Sequence, residues 1–425
     1  ITISIHIYFI FQAIDCIRDA DVTGVQTCAL PIRLVTTAPR ICVRYECVPM
    51  RFIKHVYKIH TYAQDGRLFE GKTPVSAFLN SSYDGSFIAG LMELRYIQSL
   101  PVERIINYFE SHGFTLKKPT AHKLMEKASS LFENLYKCIR QTALSDPYKA
   151  ADETYYKILV PEKNSKGKGV RKGYLWVVVG INTRMIYLLY DDGSRSEKVI
   201  LNELGGCKGI IQSDGYSPYR KLESDAYPHI TRIPCLQHIK RKFIDCGEDD
   251  PDAKRIVEMI NTLYQNEHKH KIGVDGWTVE QNLVHRKKYA PDILGEIKDV
   301  LDDIEERGDL LPKSELKEAI TYLRNEWNAV VDIFNYGDTY LDNNIVERMN
   351  RYISLSRKNS LFFGSHKGAE RGAILYTIAL TCRMNKVNLF EYLTDVINRT
   401  AEWQPNTPLE KYRQLLPDRW EKAND

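Results

Sequence analysis

The sequence predicts an α/β fold: a mixed sheet core carrying a helical insertion, preceded by a small irregular/β segment and a helical region. Three observations predict it. Short runs rich in β-branched and aromatic residues follow one another between Tyr155 and Pro234, separated by turn residues. Apolar residues at helical spacing fill Phe87 to Ala143 ahead of those runs. The same spacing returns between about Asp245 and Tyr340.

With 425 residues, 43% hydrophobic and 27% charged, the chain has the composition of an ordinary globular protein of two or three domains. A formal net charge of +4 is a weak global signal, so a nucleic-acid surface would have to come from local clusters of Lys and Arg. The nine cysteines are scattered, which suits free thiols in a reducing cytosol better than a disulfide framework. No uncharged apolar run reaches the roughly 18 residues of a membrane span.

Residues 1–32 are read apart from the fold. Ile1 to Ile14 is apolar but has no basic residue ahead of it, as a signal peptide would. Val22 to Ile32 matches the in-frame translation of a sequencing-library adapter, so residues 1–32 are expected to be an artefact joined to an N-terminally truncated gene; the alternative is a genuine strand. Residues 33–85 follow as a degenerate zinc-binding-like remnant, with a small β piece within Arg33 to Gly71 suggested by the alternation in Cys42 to Cys47 and His55 to His60. Cys42, Cys47, His55 and His60 are candidate zinc ligands, although the four-residue gap between the thiols and the lack of a second close cysteine pair favour solvated or packed side chains.

Residues 86–147 are expected to be helical. Ile88, Leu91 and Leu94 mark one helix, Val102, Ile105, Ile106 and Phe109 a second, and Leu124, Ala128, Leu131 and Leu135 a third. Pro101 to His112, the turn through Phe114 and the helix opening near Pro119 form either a helix-turn-helix, with Lys117, Lys118, Lys123 and Lys127 facing phosphates, or a plain helical hairpin.

Residues 148–245 supply strands at Tyr155 to Val160, Gly173 to Ile181, Met185 to Tyr190, Gly209 to Ser213 and Ile230 to Pro234, with a helix from Ser196 to Leu204. An antiparallel meander running into a βαβ unit is the element order of an RNase H-like fold. The link Glu162 to Gly173, rich in Gly and basic residues, is either a solvated hairpin tip or a finger that contacts phosphates. Residues 246–340 form the helical insertion, 341–400 resume the core, and 401–425 are a C-terminal tail.

Three acidic segments punctuate this frame: Ala151-Asp152-Glu153-Thr154, Ser213-Asp214-Gly215-Tyr216 and Asn343-Asn344-Ile345-Val346-Glu347-Arg348. Three gathered carboxylates can hold two divalent metals for in-line attack on phosphorus, which is the chemistry of nucleic-acid strand transfer. Asp152 is placed at the start of the first strand and Asp214 at the carboxyl end of the fourth, and antiparallel first and fourth strands would turn both to one crevice. Taken singly, Asp214 before Gly215 reads as a turn residue. Glu347, three residues after Asn344, reads as a capping box that closes its own helix. A cap has no need of Arg348, Arg351 or Arg357-Lys358-Asn359, which suit metals and bound phosphates.

From roughly Arg33 to Trp420 the chain resembles a transposase of the insertion sequence 66 family. The resemblance rests on those acidic segments together with Asp214 to Tyr219, Cys235-Leu236-Gln237-His238-Ile239-Lys240-Arg241-Lys242-Phe243, and Arg357-Lys358-Asn359-Ser360-Leu361-Phe362-Phe363-Gly364-Ser365. It implies a DDE triad of Asp152, Asp214 and Glu347 in an RNase H-like core, catalytic and metal-binding at once, with two Mg²⁺ ions or Mn²⁺ in their place. It further implies DNA contacts by His238, Arg241, Lys242, Arg348, Arg351, Arg357 and Lys358. The implied partners are transposon-end and target DNA, a second copy of the chain in a synaptic oligomer, and accessory proteins of the same element, in a bacterial cytoplasm and on the nucleoid. The family's usual Cys-Trp-Ala-His is Cys-Leu-Gln-His here, and its leucine-zipper-like and paired-cysteine N-terminal regions are missing or reduced to Cys42 and Cys47. Two alternatives stay open: a nuclease of the same fold without strand transfer, and an inactive DNA-binding relic.

Overall fold

A computed structural model describes residues 50–422, apart from 65–66, 71–75, 79–80, 164–166, 168, 248 and 405. Residues 1–32 and the cysteines at 42 and 47 fall outside the described residues. The first regular element is a hairpin, β1 (Thr61–Gln64) with β2 (Arg67–Glu70). The alternating run His55 to His60 is exposed and forms no strand, contrary to expectation; among the described residues no strand pairs with it.

Four helices follow: α1 (Gly85–Tyr96), α2 (Val102–Ser111), α3 (Lys118–Leu131) and α4 (Glu133–Ser145). Ile88, Leu91, Ile105, Phe109, Leu124, Ala128 and Leu135 are buried, as their spacing requires. The third periodic run is broken into two helices at the fully buried Phe132, whose φ −90° and ψ 3° leave the helical region.

The main sheet has five strands: β3 (Tyr148–Leu159), β4 (Val170–Gly180), β5 (Met185–Leu189), β6 (Gly209–Ser213) and β7 (Ile230–Pro234), in the order β5-β4-β3-β6-β7. β3, β4 and β5 form an antiparallel meander, and β6 joins β3 in parallel after the crossover helix α5 (Glu197–Leu204). β7 adds in parallel outside β6, after the short helix α6 (Ser217–Arg220) and a 3₁₀ turn at Lys221–Glu223. The first strand starts seven residues earlier than the apolar pattern suggests, since Tyr148 to Ala151 are buried on both faces and show no alternation.

Gly209 opens β6 with φ +90°, and a Cβ there would stand 2.2 Å from the Pro147 carbonyl oxygen, so only glycine permits this approach. Residues 51–425 make one compact unit.

Beyond β7 come α7 (Leu236–Ile244), α8 (Pro251–Glu267), α9 (Val279–Glu306) and α10 (Glu315–Ile333). Their apolar faces share one core with the sheet, in which Ile256, Leu263, Ile297, Leu301 and Ile320 pack with Tyr148, Ile210 and Ile233. The chain then returns through α11 (Asn344–Asn359), α12 (His366–Met384), α13 (Leu389–Thr400) and α14 (Leu409–Arg413). α12 covers the outer edge of β5, where the Thr377 hydroxyl accepts from Leu188 N at 2.9 Å and the Thr381 hydroxyl donates to the Ile186 carbonyl at 2.9 Å.

Arg286 on α9 fixes the return into α11. It is fully buried, donates to Tyr336 O (2.5 Å), Thr339 Oγ1 (2.8 Å) and Thr339 O (2.6 Å), and pairs with Glu267 through Nε at 3.0 Å. Arg286→Met would remove the charge partner of Glu267 and the donor to the Tyr336 and Thr339 acceptors. The expected loss is about 3–5 kcal/mol, read as a lower urea midpoint at unchanged slope.

Candidate active site

Asp152 lies on β3 and Asp214 directly follows β6. Their two strands are parallel rather than antiparallel, and parallel pairing does what the opposite arrangement was expected to do. The register runs Tyr148↔Ile210, Lys149↔Ile211, Ala150↔Gln212, and carried two residues further it sets Asp152 beside Asp214, across the roughly 4.8 Å that separates neighbouring strands. Asp152 is the fifth residue of its strand rather than the first.

Asp152 feels the charge of Asp214. Burial pushes the Asp152 carboxyl up to about 7, and the charges of Glu153 and Asp214 add to that rise. Two hydrogen bonds oppose it: Glu153 N donates to Oδ1 at 2.8 Å, and Asn350 Nδ2 donates to Oδ2 at 2.7 Å. Glu153 is itself raised by burial and held by Arg195, whose Nε donates to Oε1 at 3.0 Å.

Asp214 makes the turn contact its sequence suggested, accepting from Tyr216 N at 3.1 Å. The loop is also anchored from the insertion. Gly215 N donates to the Tyr322 hydroxyl of α10 at 2.9 Å, and a Cβ on Gly215 would come within 2.6 Å of that oxygen. Arg232, fully buried on β7, donates to the Asp214 carbonyl at 3.3 Å while pairing with the buried Glu326 of α10.

Glu347 sits in the first turn of α11 but does not cap it. The N-cap is Asn343, whose side chain makes no capping bond and instead donates to the Ala151 carbonyl at 3.0 Å. Oε1 of Glu347 is buried without a hydrogen-bond partner, 3.8 Å from His238 Nε2. Asn350 follows three residues later on the same helical face, so the helix that carries Glu347 is itself bonded to Asp152.

Among the described residues, the acids and other ligand types that meet within 4.8 Å are Cys235, His238 and Glu347, not the three acids. Glu347 thus lies beside Cys235 and His238 at the start of α7. The Cys235 thiol is pushed up to about 11 by burial and accepts from Asn343 N at 3.2 Å.

The basic residues divide by location. His238, Arg241 and Lys242 are on α7, the last two exposed, and Lys242 lies 5.9 Å from the Tyr322 ring. Arg348 and Arg351 are exposed on α11, as is Lys358 near its end. Arg357 is half-buried and donates to the Tyr155 carbonyl at 2.6 Å. Lys117, Lys118 and Lys123 are exposed at the turn and start of α3, with Lys118 paired to Glu103, and Lys127 lies 5.4 Å from the Phe78 ring. His55 and His60 are exposed. Sequence reasoning passed over Asn350, Asn343, Arg232, Glu326 and Tyr322; the placement of Asn350 one turn after Glu347 was the one signal available.

The strand order defines an α/β protein with a mixed five-stranded sheet, and two acids follow the last pair of its parallel β3–β6 ladder. A sequence model described as "Transposase IS66 family" matches residues 80–371, which is most of the chain. The chain belongs to the IS66 transposase family.

Relatives from Sinorhizobium fredii (strain NBRC 101917 / NGR234) are similar to it over much of their length. The uncharacterized protein y4jD is 26% identical over 78% of this chain and 65% of its own, and the uncharacterized protein y4hP is 24% identical over 94% and 74%. The uncharacterized protein y4qI is 26% identical over 86% of this chain and 69% of its own length. The chain thus spans about two thirds of the length of the first of these relatives, 65%. No helix among the described residues is long and apolar enough to cross a membrane.

A carboxyl whose pKa is higher folded than unfolded holds its proton more tightly when folded, so its effect favours the fold at acid pH and is lost as pH rises from about 4 through 7. Asp152→Asn removes that penalty. In EDTA above pH 7 the variant is expected to melt about 2–4 °C above wild type, with the difference closing near pH 4. Differential scanning fluorimetry across that range checks it, and a constant offset at every pH would contradict it.

Proposed function

We propose that the protein is a DNA transposase that cleaves DNA strands and transfers them, with an RNase H-like core carrying a DDE triad of Asp152, Asp214 and Glu347. The observation that supports this most is the placing of Asp152 and Asp214 just beyond the parallel β3–β6 ladder, in a member of this family, with the helix of the third acid bonded to Asp152 through Asn350. The sheet order β5-β4-β3-β6-β7 favours an RNase H-like assignment, since the strand that follows the crossover returns beside the first.

The donor set fits divalent cations. An aspartate raised by burial and by two neighbouring carboxylates lacks compensating charge, and Glu347 Oε1 is buried with no partner. Asp152, Asp214 and Glu347 would hold two Mg²⁺ or Mn²⁺ ions, which supply a nucleophilic oxygen at neutral pH and stabilise the leaving oxygen. Asn350 keeps the Asp152 carboxylate in one orientation, and Arg232 and Tyr322 keep the Asp214 loop in place. His238, Arg241, Lys242, Arg348, Arg351, Arg357 and Lys358 meet phosphates of the transposon-end and target DNA, fixing its register without reading its bases. The family reading also brings a synaptic homo-oligomer, accessory proteins of the same element and a place on the bacterial nucleoid.

The present direction of Glu347 favours a second reading, a DNA-binding relic without catalysis. One experiment separates the two. Purified protein is incubated with labelled transposon ends and Mg²⁺, and both nicked and joined products are measured. Asp214→Asn is expected to lower cleavage by about 10²–10³-fold or more while leaving DNA binding in EDTA unchanged. Mg²⁺ should raise the Tm of wild type and not of the variant. Equal cleavage by both proteins removes the assignment; cleaved ends without joined product would identify a nuclease.

A further inference from the structure

Six side chains form one unbroken row of alternating rings and cations beside the acids. Tyr155 and Tyr174 stand opposite each other across β3 and β4. The Lys172 ammonium lies 4.2 Å from the Tyr155 ring centre and 5.3 Å from that of Tyr174. The Arg195 guanidinium lies 5.1 Å from Tyr174 and 4.1 Å from Tyr216, and that of Arg357 lies 3.9 Å from Tyr155. Tyr216 joins the row to the acids, because its backbone N donates to Asp214 Oδ1.

The three rings are half-buried, while Lys172 and Arg195 are exposed. Arg195 is tied to Glu153; among the described residues neither Lys172 nor Arg357 has a carboxylate partner. Charges held against ring faces have fewer positions to lose on binding, and two of the three are left with valence for an anion. Lys172 stands near the start of β4, opposite Lys157 of β3.

We propose that Tyr216, Arg195, Tyr174, Lys172, Tyr155 and Arg357 form a track for one unpaired DNA strand. Its phosphates meet the three cations, and its bases lie against ring edges and guanidinium planes. The row is one cation wide, which suits one strand, and its rings have no use for a duplex whose base faces are stacked away. It begins at Asp214, so the strand it holds is the one that the acids cut; in this it rests on the reading of the protein as a DNA-cleaving enzyme.

The test is fluorescence anisotropy in EDTA, with a labelled 20-nucleotide thymidine strand and a duplex of the same length, between about 50 and 200 mM salt. Lys172→Gln, at an exposed position, is expected to lower the slope of log affinity against log salt for the single strand by about 0.7. Tyr155→Leu keeps every charge; it is expected to weaken single-strand binding about fivefold or more and duplex binding less than about twofold. Unchanged single-strand affinity and slope in Lys172→Gln would overturn the track, as would equal losses for both DNA forms in Tyr155→Leu. Should Tyr155→Leu not fold, the Lys172→Gln slope decides alone. Because binding is read without metal, a track that fails here leaves the cleavage assay intact, and an Asp214→Asn protein that binds but does not cut leaves the track standing.

Discussion

The parallel pairing of β3 with β6 is the constraint on which the rest of the site depends. It is short, running from Tyr148↔Ile210 to Ala150↔Gln212, yet its register alone sets Asp152 beside Asp214. A slip of one residue would send one of the two acids to the opposite face of the sheet. Gly209, the one residue type that can enter β6 past the Pro147 carbonyl, helps hold that register. Because β6 ends at Ser213 while β3 continues to Leu159, the second half of β3 has an edge that β6 does not cover. The segment after α11 takes it: Phe363 N donates to the Lys157 carbonyl at 2.8 Å, Leu159 N donates to the Phe363 carbonyl at 2.9 Å, and Arg357 bonds the Tyr155 carbonyl. The same truncated pairing thus brings two acids together and leaves room for the helix that carries the third.

The inserted helices are part of this arrangement. α10 contributes Tyr322 to the Asp214 loop and Glu326 to Arg232 behind it, and α9 contributes Arg286 to the segment that leads into α11. Buried ions of this kind are costly to desolvate, and their use here is geometric: each fixes a backbone carbonyl whose position governs where an acid stands. The site is left with a carboxyl raised to about 7 and an unpartnered glutamate oxygen, an unbalanced electrostatic state for which a cation is the simplest compensation. Glu347 Oε1 lies 3.8 Å from His238 Nε2.

Much of the frame was legible from residues alone. Strand runs near 173–181, 185–190, 209–213 and 230–234 have β-branched and aromatic composition bounded by turns, and each is found within a few residues of its place. Burial at both faces hid the start of β3, since a strand covered on both sides has no alternation to read. Phe132 divides a periodic run into two helices at a fully buried position, a break that no spacing rule shows. The alternation in His55 to His60 misled because a pattern without a partner strand has nothing to bury.

By itself the sequence determined the order of elements and the presence of three acidic segments, because periodicity and turn chemistry are local properties of the chain. Only the tertiary structure decided that the first and fourth strands of the sheet run parallel, that Asn350 grips Asp152, that Glu347 turns toward His238, and that three tyrosines and three cations fall into one row. These depend on which side chains, remote along the chain, are brought within a few ångströms, and that is set by register and packing rather than by any window of neighbouring residues.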